Sequence, residues 1–350
     1  MDAAPARLEP IFTPRIWGAK SLAPLYPEMI ELAEPIGEAW LTAHESRFVN
    51  GTFAGETLAH AWKNMPAEWR GESAAKERDF PLLVKFLFPN DRLSVQVHPE
   101  DEYARTHEIA AGGRGKTEMW YVVAAERDAA VWIGLRSGVT RESFRRAIDE
   151  GNADEMIERV PVKAGDAIYC PAGTVHYIGP GLTLCEIQEY SDITYRIFDF
   201  NRTGADGKPR ELHLEKAFDV IRFDEPRGGK VVPIRVKPGV ADETYIVACR
   251  HFAVICVESR LPFEIRMTPA HFELQIILEG RGKIEFEGER LEFSRGQAWF
   301  LPAGQGEFRI HPAGRTKILR TYVPSNCEDF ARHLESPVMP RSLLSKLVHL

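Results

Sequence analysis

Three short segments each carry side chains able to bind a divalent cation. Ser94-Val95-Gln96-Val97-His98 holds an amide and an imidazole, Gly115-Lys116-Thr117-Glu118 a carboxylate, and Gly173-Thr174-Val175-His176 a second imidazole. Gln96, His98, Glu118 and His176 make a mixed nitrogen and oxygen set that suits one borderline divalent ion, zinc before others. A single histidine on a strand is most often a hydrogen-bonded side chain with no ligand role. The expectation here rests on all four residues arriving in this order, with a Pro-Ala-Gly turn just ahead of His176.

The elements that must hold these residues are readable from the same stretches. Leu93 to His98 alternates, so Ser94, Gln96 and His98 share one face of a strand while Val95 and Val97 share the other. Lys116 and Glu118 share a face at the start of a run that continues through Met119-Trp120-Tyr121-Val122-Val123. His176 follows a Gly165-Asp166 turn, a short strand and the Pro171-Ala172-Gly173 turn. Asp192, Thr194 and Arg196 fall on one strand face, with Glu186 in phase if that strand is unbroken. Lys85 lies inside Leu82-Leu83-Val84-Lys85-Phe86-Leu87. An unpaired buried ammonium is costly, so Lys85 is expected to face a polar cavity. Ser94 and Lys116 would join it there as a cradle for phosphate. Trp17 is expected to line the same pocket and Trp120 to pack in the core.

Composition narrows the function classes. The chain has 350 residues, a net charge of −7, 44% hydrophobic and 27% charged residues, ordinary for a soluble protein with room for two domains. No basic stripe marks a nucleic-acid partner. No apolar run approaches the roughly 20 residues that span a bilayer. The first residues lack the charged-then-apolar order of a signal peptide. Five dispersed cysteines, none in a CxxC pair, read as reduced thiols of a cytoplasmic protein.

The 24 prolines and 27 glycines are scattered, which favours many short strands. An external amphipathic helix is expected across 139–148 behind a Thr140 cap, and a second across 210–221 with Leu214, Phe218 and Ile221 on one side. The charged, Gly/Pro-rich stretch 222–230 reads as a domain boundary. Beyond it, Arg295-Gly296 through Pro302-Ala303-Gly304 repeats the order of 164–173 but continues without a histidine. The reading is mainly β: two jelly-roll domains of the cupin type with a few peripheral helices. Residues 1–225 would form the metal-binding domain and 226–326 a metal-free copy, in which no second histidine follows His271 and Glu273 to complete a ligand set. Residues 327–350 would form a tail of short helix and loosely packed end.

Five stretches carry a resemblance to a known family: Phe80–Lys85 with Leu93–Pro99, Gly115–Tyr121, Val162–His176, Ser191–Arg196 and Gly207–His213. In these the chain resembles the type I mannose-6-phosphate isomerases in their short bacterial form, convincingly over about 10–222 and in outline beyond. The resemblance implies Gln96, His98, Glu118 and His176 as ligands of one metal ion, usually zinc. It implies Arg196 as the active-site arginine, Lys116, Lys85 and Ser94 as groups facing the sugar phosphate, and Glu186 and Asp192 as acidic groups for proton transfer or support. Arg196 has a competing role, a salt bridge to Asp192 or Asp199. Two departures stand out. Tyr177 occupies a place where a small residue is common, and the lysine that follows the arginine in longer members is missing. The implied activity is interconversion of mannose 6-phosphate and fructose 6-phosphate through an enediolate, by a cytoplasmic monomer or homodimer. The rival readings are a cupin isomerase for another phosphorylated sugar, a non-catalytic metal-binding sugar sensor, and an oxygen-dependent cupin oxidase.

Overall fold

The computed structural model describes residues 3–204, 207–223, 228–236, 239–325 and 348–349. The chain opens with strands β1 (Ala6–Leu8), β2 (Ile11–Ala19), β3 (Ile36–Trp40), β4 (Leu82–Leu87), β5 (Val95–Val97) and β6 (Glu118–Ala125). It continues with β7 (Ala130–Leu135), β8 (Ile157–Pro161), β9 (Ala167–Cys170), β10 (His176–Ile178), β11 (Leu182–Glu189) and β12 (Tyr195–Phe198). One sheet runs β9-β6-β11-β4-β3-β2, the other β12-β5-β10-β7-β8. Trp120, Val122, Leu184 and Leu87 of the first sheet pack with Val131, Ile133 and Ile178 of the second in one apolar cluster. That shared interior is the roll expected from alternating short strands.

A second roll follows. Ile234–Val236, Asp242–Cys249, Ala253–Ser259, Glu273–Glu279, Ala298–Leu301 and Thr316–Tyr322 share one sheet; Phe263–Met267, Arg281–Phe286, Glu289–Ser294 and Gly306–Pro312 form the other. The two rolls exchange strands. β1 pairs with the second roll, Ala6 opposite Phe300 and Leu8 opposite Ala298. Gly229–Lys230 pairs back onto β9 of the first, Gly229 opposite Tyr169. One apolar core crosses the junction, including Leu8, Trp62, Phe80, Val84, Phe86, Phe272 and Phe300. This explains why every residue of β4 is buried: alternate side chains face the two rolls.

Thr140 caps the helix Arg141–Glu150 through the Ser143 N–H, and Phe144, Ala147 and Ile148 are its buried face. The second helix is shorter than expected, Leu214–Val220. Arg210 to His213 stay outside the helix: Arg210 binds Asp199 and His213 Nδ1 accepts the Arg196 N–H at 3.1 Å. The strand expected to carry both Glu186 and Arg196 is broken between Glu189 and Tyr195, so those two residues reach the site from different sheets. The expected tail helix falls in 326–347, outside the described residues; Val348–His349 runs parallel to Ala248–Cys249.

Candidate active site

Register brings the ligand set together. Gln96 on β5 lies directly opposite His176 on β10. Glu118 opens β6 between Cys170 of β9 and Gln188 of β11. Gly173 ties the His176 segment to the others: its N–H donates to the His98 carbonyl at 2.8 Å. With φ +81° and Arg222 Cγ 2.8 Å from where a Cβ would stand, only glycine suits that turn.

The two imidazoles are fixed in one tautomer. His98 Nδ1 is 2.8 Å from the Ile193 carbonyl, and His176 Nδ1 is 2.9 Å from that of Thr174. Each Nδ1 therefore donates, and each Nε2 turns a lone pair toward Glu118. His98 Nε2 lies 3.6 Å from Glu118 Oε2 and His176 Nε2 3.3 Å from Oε1. Burial, with Lys116 adding to it, holds His98 well below the usual imidazole range; burial brings His176 to about 4. Both rings are neutral at physiological pH, the form that binds metal. The Gln96 amide sits 3.3 Å from His176 Nε2, and a half-turn of the amide brings its oxygen there. Glu118 Oε1 is buried with no hydrogen-bond partner.

His98 Nε2 takes a hydrogen bond from Lys116 Nζ at 3.2 Å and His176 Nε2 faces the Gln96 amide at 3.3 Å, while the buried Glu118 Oε1 has no donor. Ligand atoms of His98, Glu118 and His176 all lie within 4.8 Å of one another. The donor set fits a divalent cation. Cys170 Sγ is 3.3 Å from His176 Nδ1, but burial pushes its thiol well above the usual range, so it stays protonated.

Beside this cluster opens a cavity of about 420 Å³. Its lining includes Trp17, Lys85, Ser94, Gln96, Lys116, Glu186, Asp192, Thr194 and Arg196, so every sugar-facing residue expected from the sequence reaches one space. Five cations line it (Arg15, Lys85, Lys116, Arg196, Arg210) against three carboxylates (Glu38, Glu186, Asp192). A protein of net charge −7 thus carries a locally positive pocket.

Lys85, 2% exposed, donates to Asp192 at 2.8 Å and sits 4.1 Å over the Trp40 ring. Lys116 is clasped by Glu118 and faces Glu186 at 3.8 Å. Burial works against its charge, but Glu118 and Glu186 more than offset it, and its pKa ends above the ordinary value. Burial raises Glu186 to about 7, Lys116 opposing the rise. Asp192 is more than half exposed at the mouth. Partial enclosure acts to raise its pKa, but Lys85 and Lys116 outweigh that and hold it below the usual carboxylate range.

Arg196 makes neither of the salt bridges weighed for it. Asp192 is engaged by Lys85, and Asp199 is gripped by Arg202 and Arg210. Arg196 donates from Nη1 to the Glu211 carbonyl at 2.8 Å, while its buried Nε has no partner. Tyr177 turns away from the cavity and stacks on Trp132 at 4.5 Å, so the departure at that position leaves the pocket wall untouched. Trp120 packs in the core as expected.

Sequence reasoning passed over Arg15, Glu38 and Arg210. Glu38 joins Arg15 at 2.6 Å and accepts from the Trp40 indole at 2.8 Å. A carboxylate inside the apolar run Ile36–Leu41 was the available signal, on the same face as Trp40.

The second roll carries a counterpart. Glu273 stands opposite Leu301, as Glu118 stands opposite Cys170, and each partner precedes a Pro-Ala-Gly turn. Arg320 grips Glu273 with two hydrogen bonds, 2.9 and 2.7 Å, and Gln275 donates at 2.8 Å. A guanidinium supplies the positive charge there. His271 stacks on Tyr322 at 3.8 Å and reaches Glu273 only at 3.5 Å.

Residues 6–121 match the model of the phosphomannose isomerase type I catalytic domain, and 242–323 that of the mannose-6-phosphate isomerase cupin domain. The probable mannose-6-phosphate isomerase GmuF of Bacillus subtilis is 39% identical over 313 residues, 87% of this chain and 96% of the relative. The mannose-6-phosphate isomerase ManA of the same organism is 36% identical over 319 residues, covering 89% and 96%. The crystal structure of a Bacillus subtilis mannose 6-phosphate isomerase superposes with a TM-score of 0.82 at 28% identity, over 91% of this chain and 99% of that one.

Proposed function

This chain belongs to the type I mannose-6-phosphate isomerase family, and from that premise we propose how its cavity interconverts mannose 6-phosphate and fructose 6-phosphate. The observation that carries the reading is the convergence of two neutral imidazoles and a buried carboxylate with one oxygen unpartnered at the wall of a cationic cavity. Gln96, His98, Glu118 and His176 would hold one divalent ion, zinc by the softness of the set. Bound there, such an ion would polarise or position a sugar oxygen.

Isomerisation moves a proton between C1 and C2 of the open-chain sugar. Arg196, its Nε free, is aimed at the oxyanion that develops as the enediolate forms. Glu186 is the stronger of the two carboxylates for carrying the proton: it is buried beside Lys116, whereas Asp192 is engaged by Lys85 and open to solvent. Lys116 bridges Glu118 and Glu186 and keeps both oriented. Lys85, Ser94 and Trp17 form the end that receives phosphate, whose binding energy fixes the reacting carbons. The surplus of cations in the lining favours a phosphorylated sugar over a neutral one. Among the described residues, four buried cysteines outside any disulfide support a reducing, cytoplasmic setting, and no helix is long and apolar enough to cross a membrane.

The test is a coupled assay for fructose 6-phosphate from mannose 6-phosphate on metal-analysed protein. Activity should vanish on chelation and return with stoichiometric zinc. Stoichiometric metal without turnover would shift the substrate to another sugar phosphate or the role to binding alone. Lys85→Ala should weaken binding of mannose 6-phosphate by about tenfold or more, the scale of one hydrogen bond to a charged group. Inorganic phosphate that inhibits wild type and variant equally would make Lys85 a purely structural residue.

A further inference from the structure

Behind the site, on the face away from the cavity, lies a second cluster of ionisable groups. Glu189, the last residue of β11, is 6% exposed. Its Oε1 accepts the Thr117 N–H at 2.7 Å, and its Oε2 lies 3.0 Å from His251 Nδ1. Its main-chain N–H donates to the Thr117 carbonyl at 3.2 Å. His251 stands on the turn between Asp242–Cys249 and Ala253–Ser259, in the second roll. Arg250 Nε donates to His251 Nε2 at 2.8 Å, which leaves Nδ1 as the protonated nitrogen and the donor to Glu189.

Asp101 completes the group. Its Oδ1 accepts the Gly115 N–H at 2.9 Å, it shares a hydrogen bond with Glu189, and Arg250 lies 3.6 Å from its Oδ2. Lys116 N–H donates to the Pro99 carbonyl at 3.0 Å. Three successive N–H groups, Gly115, Lys116 and Thr117, are therefore each tied down from behind. The side chains of Lys116 and Glu118 project from the same segment into the site. The acceptors of Asp101, Glu189 and His251 lie close enough for a cation. Each already takes a protein donor, however, and Arg250 faces them, so the cluster is a joint.

We infer that His251, supplied by the second roll, is a positioning residue for the first: acting through Glu189, it holds the Gly115–Glu118 segment that presents Lys116 and Glu118 to the reaction. This rests on the roles proposed above for those two residues. It gives the second roll a task in catalysis although its own Glu273 is sealed by Arg320.

The test compares His251→Ala and His251→Leu, which remove the donor, with His251→Asn, which keeps an N–H near the Nδ1 position. In metal-free protein the Thr117 amide should exchange with deuterium about tenfold faster in the Ala and Leu variants, with Asn close to wild type. In zinc-loaded protein, chelator competition should show zinc held about tenfold more weakly in those two variants. Their kcat should fall while KM for mannose 6-phosphate barely moves, and Asn should restore both. Thr117 exchange equal to wild type in the Ala and Leu variants overturns the inference. So does faster exchange spread evenly over the chain, or an Asn variant as impaired as Ala. Wild-type protein that neither holds zinc nor turns over would sink the proposed function instead, and the exchange comparison would still decide the joint.

Discussion

Arg196→Ala is expected to lower kcat by about 10²–10³-fold, the range for losing one donor to a developing oxyanion. The surroundings of this arginine set the expectation. It makes no ion pair among the described residues, its Nη1 contacts only a main-chain carbonyl, and its Nε is buried without an acceptor. A donor left unsatisfied in the resting protein is held ready for a charge that exists only during the reaction. Truncation therefore removes little that the folded state uses. The melting temperature and the bound-metal ratio should stay near wild type, because Arg196 is not among the metal donors. Arg196→Lys should recover only part of the rate, since an ammonium lacks the planar fork. Steady-state kinetics on metal-analysed variants decides the matter; a kcat within a few-fold of wild type would take Arg196 out of the mechanism.

The second large effect is one of stability. Arg320→Ala should destabilise the protein by about 3–5 kcal/mol, the cost of stranding a buried charge. Glu273 is 2% exposed and would lose both guanidinium hydrogen bonds, while Glu243, 3.4 Å from Arg320, would lose its partner as well. Burial alone would raise the Glu273 pKa, but Arg320 and His271 bring it down to about 2. The folded value lies below the ordinary 4.5. The pair's contribution is thus full above about pH 4.5 and lost as pH falls toward 2. In Arg320→Ala that stabilisation should already be missing at neutral pH. Replacing both partners, Glu273→Leu with Arg320→Met, should recover most of the loss, because the fully buried charge of Glu273 is then removed together with its partner. Urea unfolding of wild type and the two variants gives the comparison. A single variant as stable as wild type would show that the pair contributes nothing.

What the sequence revealed depended on range. The meeting of the proposed ligand residues was legible because it needs only local period: Ser94, Gln96 and His98 alternate on one strand, and a Pro-Ala-Gly turn delivers His176. Pairing of Gln96 with His176 across two strands, by contrast, is fixed by sheet register, which no local pattern states. The continuity expected from Glu186 to Arg196 failed at the turn 190–194, where Ser191 and Ile193 are recruited to other contacts: Ser191 Oγ binds the Arg114 carbonyl and the Ile193 carbonyl orients His98. Arg15, Glu38 and Arg210 reach the cavity from both ends of the first roll; Arg15 and Arg210 look like ordinary surface charges in their own segments, and only the apolar run around Glu38 carried a signal. That the second roll has no histidine at the place of His176 was readable; that an arginine grips Glu273 was not, because Arg320 lies far from Glu273 in sequence and meets it only across neighbouring strands.

The exchange of strands has a consequence for biosynthesis. β1 leaves the ribosome long before its partner, Ala298–Phe300, is made. Gly229–Lys230 must likewise fold back onto β9 after the first roll has been made. β1 therefore waits, with the edge that meets Ala298–Phe300 unpaired, until the second roll has been made. A nascent chain of this design depends on how fast residues 231–300 are made, and slow codons placed there would lengthen the interval in which β1 stands open to wrong partners.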